Sequence, residues 1–200
     1  VENVTIPASV RSIGQEAFIY SSLKTIAFVD DAARPAQLTT IADRAFANTS
    51  LQAIELPRSA VTIGAGVFDY NSALTSIKLG PNVDASSVTG GYAETSALMS
   101  VEVDPANPNF DSVDGVLYSK DHSKLIIYPA AKNAGGAYTV LDGVQAIAYR
   151  AFQKASITSV TLPDSLRSIG EEGFRLSALT AVALPEKFET LGVCAFCSAD

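Results

Sequence analysis

The sequence predicts a repeat solenoid: a right-handed, curved stack of short coils. Its concave side would carry a parallel sheet of about eight short strands, its convex side short helical turns, and one coil a β-hairpin insertion. Three observations predict this. The phrase SIGQEAF (12–18) returns as TIADRAF (40–46), TIGAGVF (62–68), AIAYRAF (146–152), SIGEEGF (168–174) and TLGVCAF (190–196). Apolar triads spaced i, i+3, i+5, such as Leu51, Ile54 and Leu56, recur along the whole chain. The phrase is missing between residues 69 and 145, where two apolar runs flank a polar KDHS.

The last members of the triads are Ile6, Phe28, Leu56, Leu79, Val103, Val140, Leu162 and Leu184. The steps between them are 22, 28, 23, 24, 37, 22 and 22 residues. A fixed period of this size marks a solenoid, whose units cannot bury their apolar side alone and must stack. Within a unit, alternation of the last two triad members with polar or small residues is strand-like. A proline often follows and turns the chain (Pro7, Pro57, Pro163, Pro185). A glycine allows the next corner (Gly14, Gly64, Gly170, Gly192). A short helical turn then brings an aromatic inward: Phe18, Phe46, Phe68, Phe152, Phe174, Phe196. At about 4.8 Å per strand, eight coils make a slab roughly 35 Å long.

Three departures from the template carry their own expectations. The second coil has about six extra residues within VDDAARPAQ, which should loop out. Coil four carries VDASSVTGGY in place of the Ile-Gly half, so it should be irregular, with Tyr92 standing for the phenylalanine. In coil five, GVLYS and KLIIYP around KDHS read as a hairpin with a polar tip. The expected organisation is one solenoid over 1–200, with a hairpin-and-loop insertion over 104–137.

The pattern L-x-x-I-x-L-P-x-S-V-x-x-I-G-x-x-A-F, seen in VRSIGQEAF and LTSIKLGPNV, resembles the BspA-like leucine-rich repeats of bacterial surface proteins. The VDGVLYSKD…LIIYP segment is similar to hairpins inserted in that family. The resemblance implies a leucine-rich-repeat solenoid and a non-enzymatic, adhesin-like role. It implies an extracellular or cell-surface location and a host or microbial surface protein or glycan as partner. A structural spacer that displays another domain is the competing expectation, and an enzyme the third.

Composition excludes several classes. Nearly half the residues are hydrophobic and only 18% are charged, which disfavours disorder. A net charge of −7 without a basic run disfavours nucleic-acid and anionic-membrane partners. No apolar stretch reaches the length of a membrane span. VENVTIP has neither the basic nor the apolar region of a signal peptide, so none is expected within this chain.

Candidate chemistry is sparse; no catalytic residue, metal site or cofactor is expected. Cys194 and Cys197 form a lone C-x-x-C; zinc needs four ligands, so two thiols on a turn are expected, with a local disulfide as the alternative. Asp104, Asn107, Asn109, Asp111 and Asp114 could offer oxygens to calcium, but Asp, Asn and Pro are also what turns require. His122, the only histidine, lacks a visible nucleophile. On the hairpin, Tyr118, His122 and Tyr128 are candidate partner contacts if the rings are partly exposed. On the concave sheet the outward positions are Thr25, Ala27, Ala53, Glu55, Ser76, Lys78, Ser100, Glu102, Ser159, Thr161, Ala181 and Ala183. They are small and mostly uncharged, so Glu55, Lys78 and Glu102 are the charges a groove would use.

Overall fold

The computed structural model describes residues 1–199. Each coil uses its two apolar patches as two short strands. Coil one contributes β1 (Asn3–Ile6) and β2 (Ser12–Ile13), coil two β3 (Thr25–Phe28) and β4 (Thr40–Ile41), and coil three β5 (Ala53–Glu55) and β6 (Thr62–Ile63). Coil four has only β7 (Ser76–Leu79). Coil five has β8 (Ser100–Val103), β9 (Phe110–Val113), β10 (Val116–Ser119) and β11 (Lys124–Ile127). Coils six and seven repeat the pattern with β12 (Ala137–Thr139), β13 (Ala146–Ile147), β14 (Ser159–Thr161) and β15 (Ser168–Ile169). Coil eight closes with β16 (Thr190–Leu191), and its first patch is reduced to a bridge between Ser159 and Ala181.

The first strands form one row with eight positions, divided into the parallel ladders β1–β3, β5–β7–β8 and β12–β14. One break lies beside the enlarged second coil. The other lies at the hairpin, where Val101 N–H donates to Gly115 O at 2.8 Å instead of to a neighbouring coil. The second strands form another row, β2–β4–β6 and then β11–β13–β15–β16. Coil four is irregular here as expected. The Ser87 hydroxyl takes the Ile63 N–H at 3.0 Å, in place of a missing strand.

The convex turns are not helical; no helix occurs among the described residues. In 14–21, every second N–H stays within the turn: Ala17 donates to Gly14 O, Ile19 to Glu16 O and Ser21 to Phe18 O. The alternate ones cross to the next coil: Glu16 donates to Asp43 O, Phe18 to Ala45 O and Tyr20 to Ala47 O. A helix would turn most of these donors along its own axis and leave the coils unlinked on this side. The arrangement requires left-handed backbone at Glu16 and Tyr20, both with φ of 58°. Each such residue costs about 1–2 kcal/mol, offset by the crossing hydrogen bond that it donates.

Inside the turns the aromatics stack. Phe18, Phe46 and Phe68 lie 5.4 and 6.1 Å apart by centroid, and Tyr92 meets Phe68 edge-on at 5.2 Å. A second stack runs Tyr128, Phe152, Phe174, Phe196 at 4.8, 4.5 and 5.2 Å. Beside the first stack Asn71 is fully buried. Its amide donates to Phe46 O and Phe68 O, and its carbonyl accepts from Thr49 N and Thr49 Oγ1.

The expected hairpin is present as β10–β11, extended by β9 into an antiparallel three-strand meander. The β9–β10 turn holds Asp114 and Gly115 at φ of 50° and 72°, both left-handed, as a two-residue Asp-Gly hairpin demands. The meander does not hang off the coil, because β11 pairs in parallel with β13 and is coil five's own second strand. It also takes a short cut. Ile147 and Phe152 are five residues apart, whereas their counterparts Leu125 and Tyr128 are three apart. Coils four and six close over the missing corner: Gly90 bridges Tyr149, and Gly91 N–H donates to Tyr149 O at 2.9 Å.

The core falls into two clusters, and the meander belongs to both. Phe110, Leu117, Ile126 and Ile127 pack with the N-terminal coils. Val116, Tyr118, Leu125 and Tyr128 pack with the C-terminal coils.

Candidate functional site

Glu55, Lys78 and Glu102 stand directly beside one another across β5, β7 and β8, all exposed. Lys78 Nζ lies 2.6 Å from Glu55 Oε1, and this hydrogen bond pushes the Lys78 amine above its ordinary value. Glu102 receives a long bond from Ser112 Oγ at 3.4 Å. Past the strand ends, Arg58 faces Asp104 at 3.6 Å. Phe28, Glu55, Arg58, Lys78 and Asp104 line one shallow depression. Each cation in it already faces an acid, so the charges offer register rather than a strong field.

The expectation of partly exposed tyrosines on the hairpin is overturned. Tyr118 and Tyr128 are 0% and 2% exposed, because both rings enter the C-terminal core cluster while Leu117, Ile126 and Ile127 enter the N-terminal one. Tyr118 Oη sits 2.6 Å from Tyr138 Oη, and Tyr128 Oη donates to Lys132 O at 3.0 Å. Burial pushes both hydroxyls above their ordinary pKa. Neither ring can touch a partner. His122 remains half-exposed at the tip, with Nε2 2.7 Å from Asp111 Oδ2. That bond holds the Asp111 carboxyl below the usual carboxylate range. The hydroxyls of Ser119 and Ser123 both donate to Asp121, whose pKa falls to about 2, rather than to the histidine ring.

The polar cluster over 104–114 is consumed by turns. Asp104 Oδ1 accepts Ala106 N–H, and Asn107 Oδ1 accepts Asn109 and Phe110 N–H. Asn109 donates to Val83 O, and Asp114 pairs with Lys132 at 2.9 Å. Among the described residues no group of three or more His, Cys, Asp or Glu is gathered to hold a metal ion. Cys194 and Cys197 are closed into a disulfide across the last turn, against the expectation of two thiols. The turn brings the two Cα atoms to 4.7 Å, within the range a disulfide spans.

Reading by sequence missed a second candidate surface, on the turns. Two residues after each inward ring, the left-handed position points outward. Tyr20 and Tyr70 occupy it in coils one and three and are 76% and 54% exposed. With Ile19, Arg44, Asn48 and Asp69 they line one depression. Arg44 meets Glu16 only at 4.0 Å. Asp69 Oδ1 accepts Ala93 N–H at 2.9 Å, and burial pushes its carboxyl above the ordinary value. The signal was in the sequence, as a tyrosine at the same offset from Phe18 and Phe68. It was hidden because other coils place unrelated residues there.

A stack of coils with two rows of short parallel strands and linked turns on the third side is a leucine-rich-repeat solenoid. The profile for the BspA type leucine rich repeat region matches residues 1–106 and 137–200, in six copies, so the chain belongs to that family. Residues 107–136, which contain the meander, fall outside the match. The chain is similar to a leucine-rich repeat protein from Eubacterium ventriosum, with a TM-score of 0.81, 25% identity, and coverage of 96% of this chain and 50% of that one. It is similar to the pneumococcal vaccine antigen PcpA, with a TM-score of 0.66, 27% identity, and coverage of 96% and 58%. A leucine rich cell surface protein from Faecalibacterium prausnitzii shares the fold, at a TM-score of 0.54 and 20% identity, over 96% of this chain and 69% of that one. The chain thus spans 50% and 58% of the length of the first two. No curated protein matches it.

Proposed function

We propose that this chain is a non-enzymatic binding segment of a cell-surface or secreted bacterial protein, engaging a protein or glycan partner as an adhesin does. One observation carries the reading: Tyr20 and Tyr70 are exposed on a single depression rather than scattered singly. Lone exposed apolar residues need no explanation, whereas tyrosines gathered with polar neighbours are what recognition surfaces use. Family membership and the names of two similar structures, a vaccine antigen and a cell surface protein, support the location. A display or spacer role is favoured by Thr139, Ser159, Thr161, Ala181 and Ala183, which leave the C-terminal half of the first-strand row without anchors.

The test is capture of immobilised extracellular-matrix proteins together with a glycan array, both at high protein concentration. Saturable binding on either supports the proposal. Blank results on both overturn it in favour of the spacer.

A further inference from the structure

The turn side offers more than an exposed pair of rings, because its geometry constrains what can lie there. Tyr20, Asn48 and Tyr70 occupy the same repeat position in consecutive coils. Tyr20 N–H donates to Ala47 O, Asn48 N–H to Asp69 O and Tyr70 N–H to Ala93 O. The two tyrosines are therefore two coil steps apart along the axis, about 10 Å at the usual strand spacing. Between them sits the exposed Asn48, whose side-chain amide makes no hydrogen bond with the described residues. Arg44 and Asp69 flank it in the same depression. The result is an apolar ring, a free amide with a charged pair beside it, and a second apolar ring, in a line.

We propose that this depression binds a neutral oligosaccharide, its sugar rings lying along the solenoid axis with two of them stacked on Tyr20 and Tyr70. The inference rests on the binding reading above and deepens it. Sugars present apolar C–H faces to aromatic rings and hydroxyls at their edges. Orientation by a few placed polar groups among apolar ones is how small-ligand sites work. Asn48 offers a donor and an acceptor, Arg44 donors and Asp69 an acceptor, matching hydroxyls that both donate and accept. An extended peptide fits less well. The backbone N–H groups at Tyr20, Asn48 and Tyr70 are all spent between coils, so the depression has no free donors at these positions with which to pair a peptide strand. An acidic glycan fits less well too, because Asp43, Glu16 and Asp69 stand near Arg44 and the chain carries −7 overall.

The experiment is titration calorimetry of the whole chain with chitotetraose, cellotetraose and mannotetraose, alongside an array of neutral and sialylated glycans. At least one neutral probe should bind saturably and with little dependence on salt. Tyr20→Ala and Tyr70→Ala should each weaken it at least tenfold, about 1.4 kcal/mol, with Tm unchanged. Tyr20→Asn and Tyr70→Asn, which suit left-handed backbone, should weaken it equally, and Lys78→Ala on the other row should not. Absence of any neutral-glycan binding, preference for sialylated glycans, or binding indifferent to both tyrosines overturns the proposal. If neutral glycans fail while a matrix protein is still captured, this site assignment falls and the wider binding reading stands. If both fail, both fall.

Discussion

Phe174 and Tyr92 occupy the same place in their coils, yet they should respond oppositely to mutation. Phe174 is fully buried between Phe152 and Phe196. Phe174→Ala should cost about 3–5 kcal/mol, read as a lowered denaturant midpoint. Tyr92 is also buried, but its hydroxyl has no partner among the described residues. Tyr92→Phe should be neutral or stabilise by about 1 kcal/mol, since an unmade buried hydrogen bond costs more than its removal. Asp111 gives a third residue-scale expectation. Its carboxyl is held low by His122, so it favours the folded state above the ordinary carboxylate value. That contribution is lost as pH falls through its depressed folded value, below about pH 4. His122→Ala should bring the Asp111 titration, followed by carboxyl NMR, back up toward the ordinary range. The inward rings were legible because each recurs at a fixed place in the repeat. Asn71, with its four hydrogen bonds, was not, because its partners lie in the preceding coil and its own turn.

At the scale of elements, backbone hydrogen bonding decided what side-chain periodicity could not. An aromatic that closes a G-x-x-A-F phrase suits a helical turn and a pair of linked β-turns equally. Only the need to join one coil to the next selects the second. The hairpin was legible from its two apolar runs. The third strand has its own signal in Asp114–Gly115, a strong short-range turn pair. The continuous apolar run of Leu125, Ile126, Ile127 and Tyr128 is the signal that both faces of β11 are buried. The shortened corner of coil five explains two glycines that no turn requires. A Cβ on Gly90 or Gly91 would strike the carbonyl oxygens of Tyr149 and Arg150 in coil six. Gly90→Ala and Gly91→Ala should each destabilise by about 1–3 kcal/mol. Gly135→Ala, where a Cβ has open space but the backbone is left-handed, should cost only about 1 kcal/mol of strain. Thermal melts of the three variants separate the causes.

For the molecule as a whole, the meander ties the two core clusters together, because it contributes to both. Solenoid stability is carried by neighbouring units, so a weak joint would let the halves melt separately. With β10 and β11 shared, a single calorimetric transition is expected. Their amides should be among the slowest to exchange, since protection there reports global opening. Leu117→Ala, which hollows only the N-terminal cluster, should lower that one transition without splitting it. Repeat number and coil boundaries were legible because packing repeats once per coil. The turn-side depression was not, because it is assembled from residues that packing leaves free. Coil five fills its place among the strands but yields its place at the corner, so one edge of the stack is a rung shorter, by about 4.8 Å. A column missing a course on one edge leans that way. The meander thus fixes the angle at which the C-terminal coils leave the N-terminal ones, and with it the direction in which the surfaces of the two halves look.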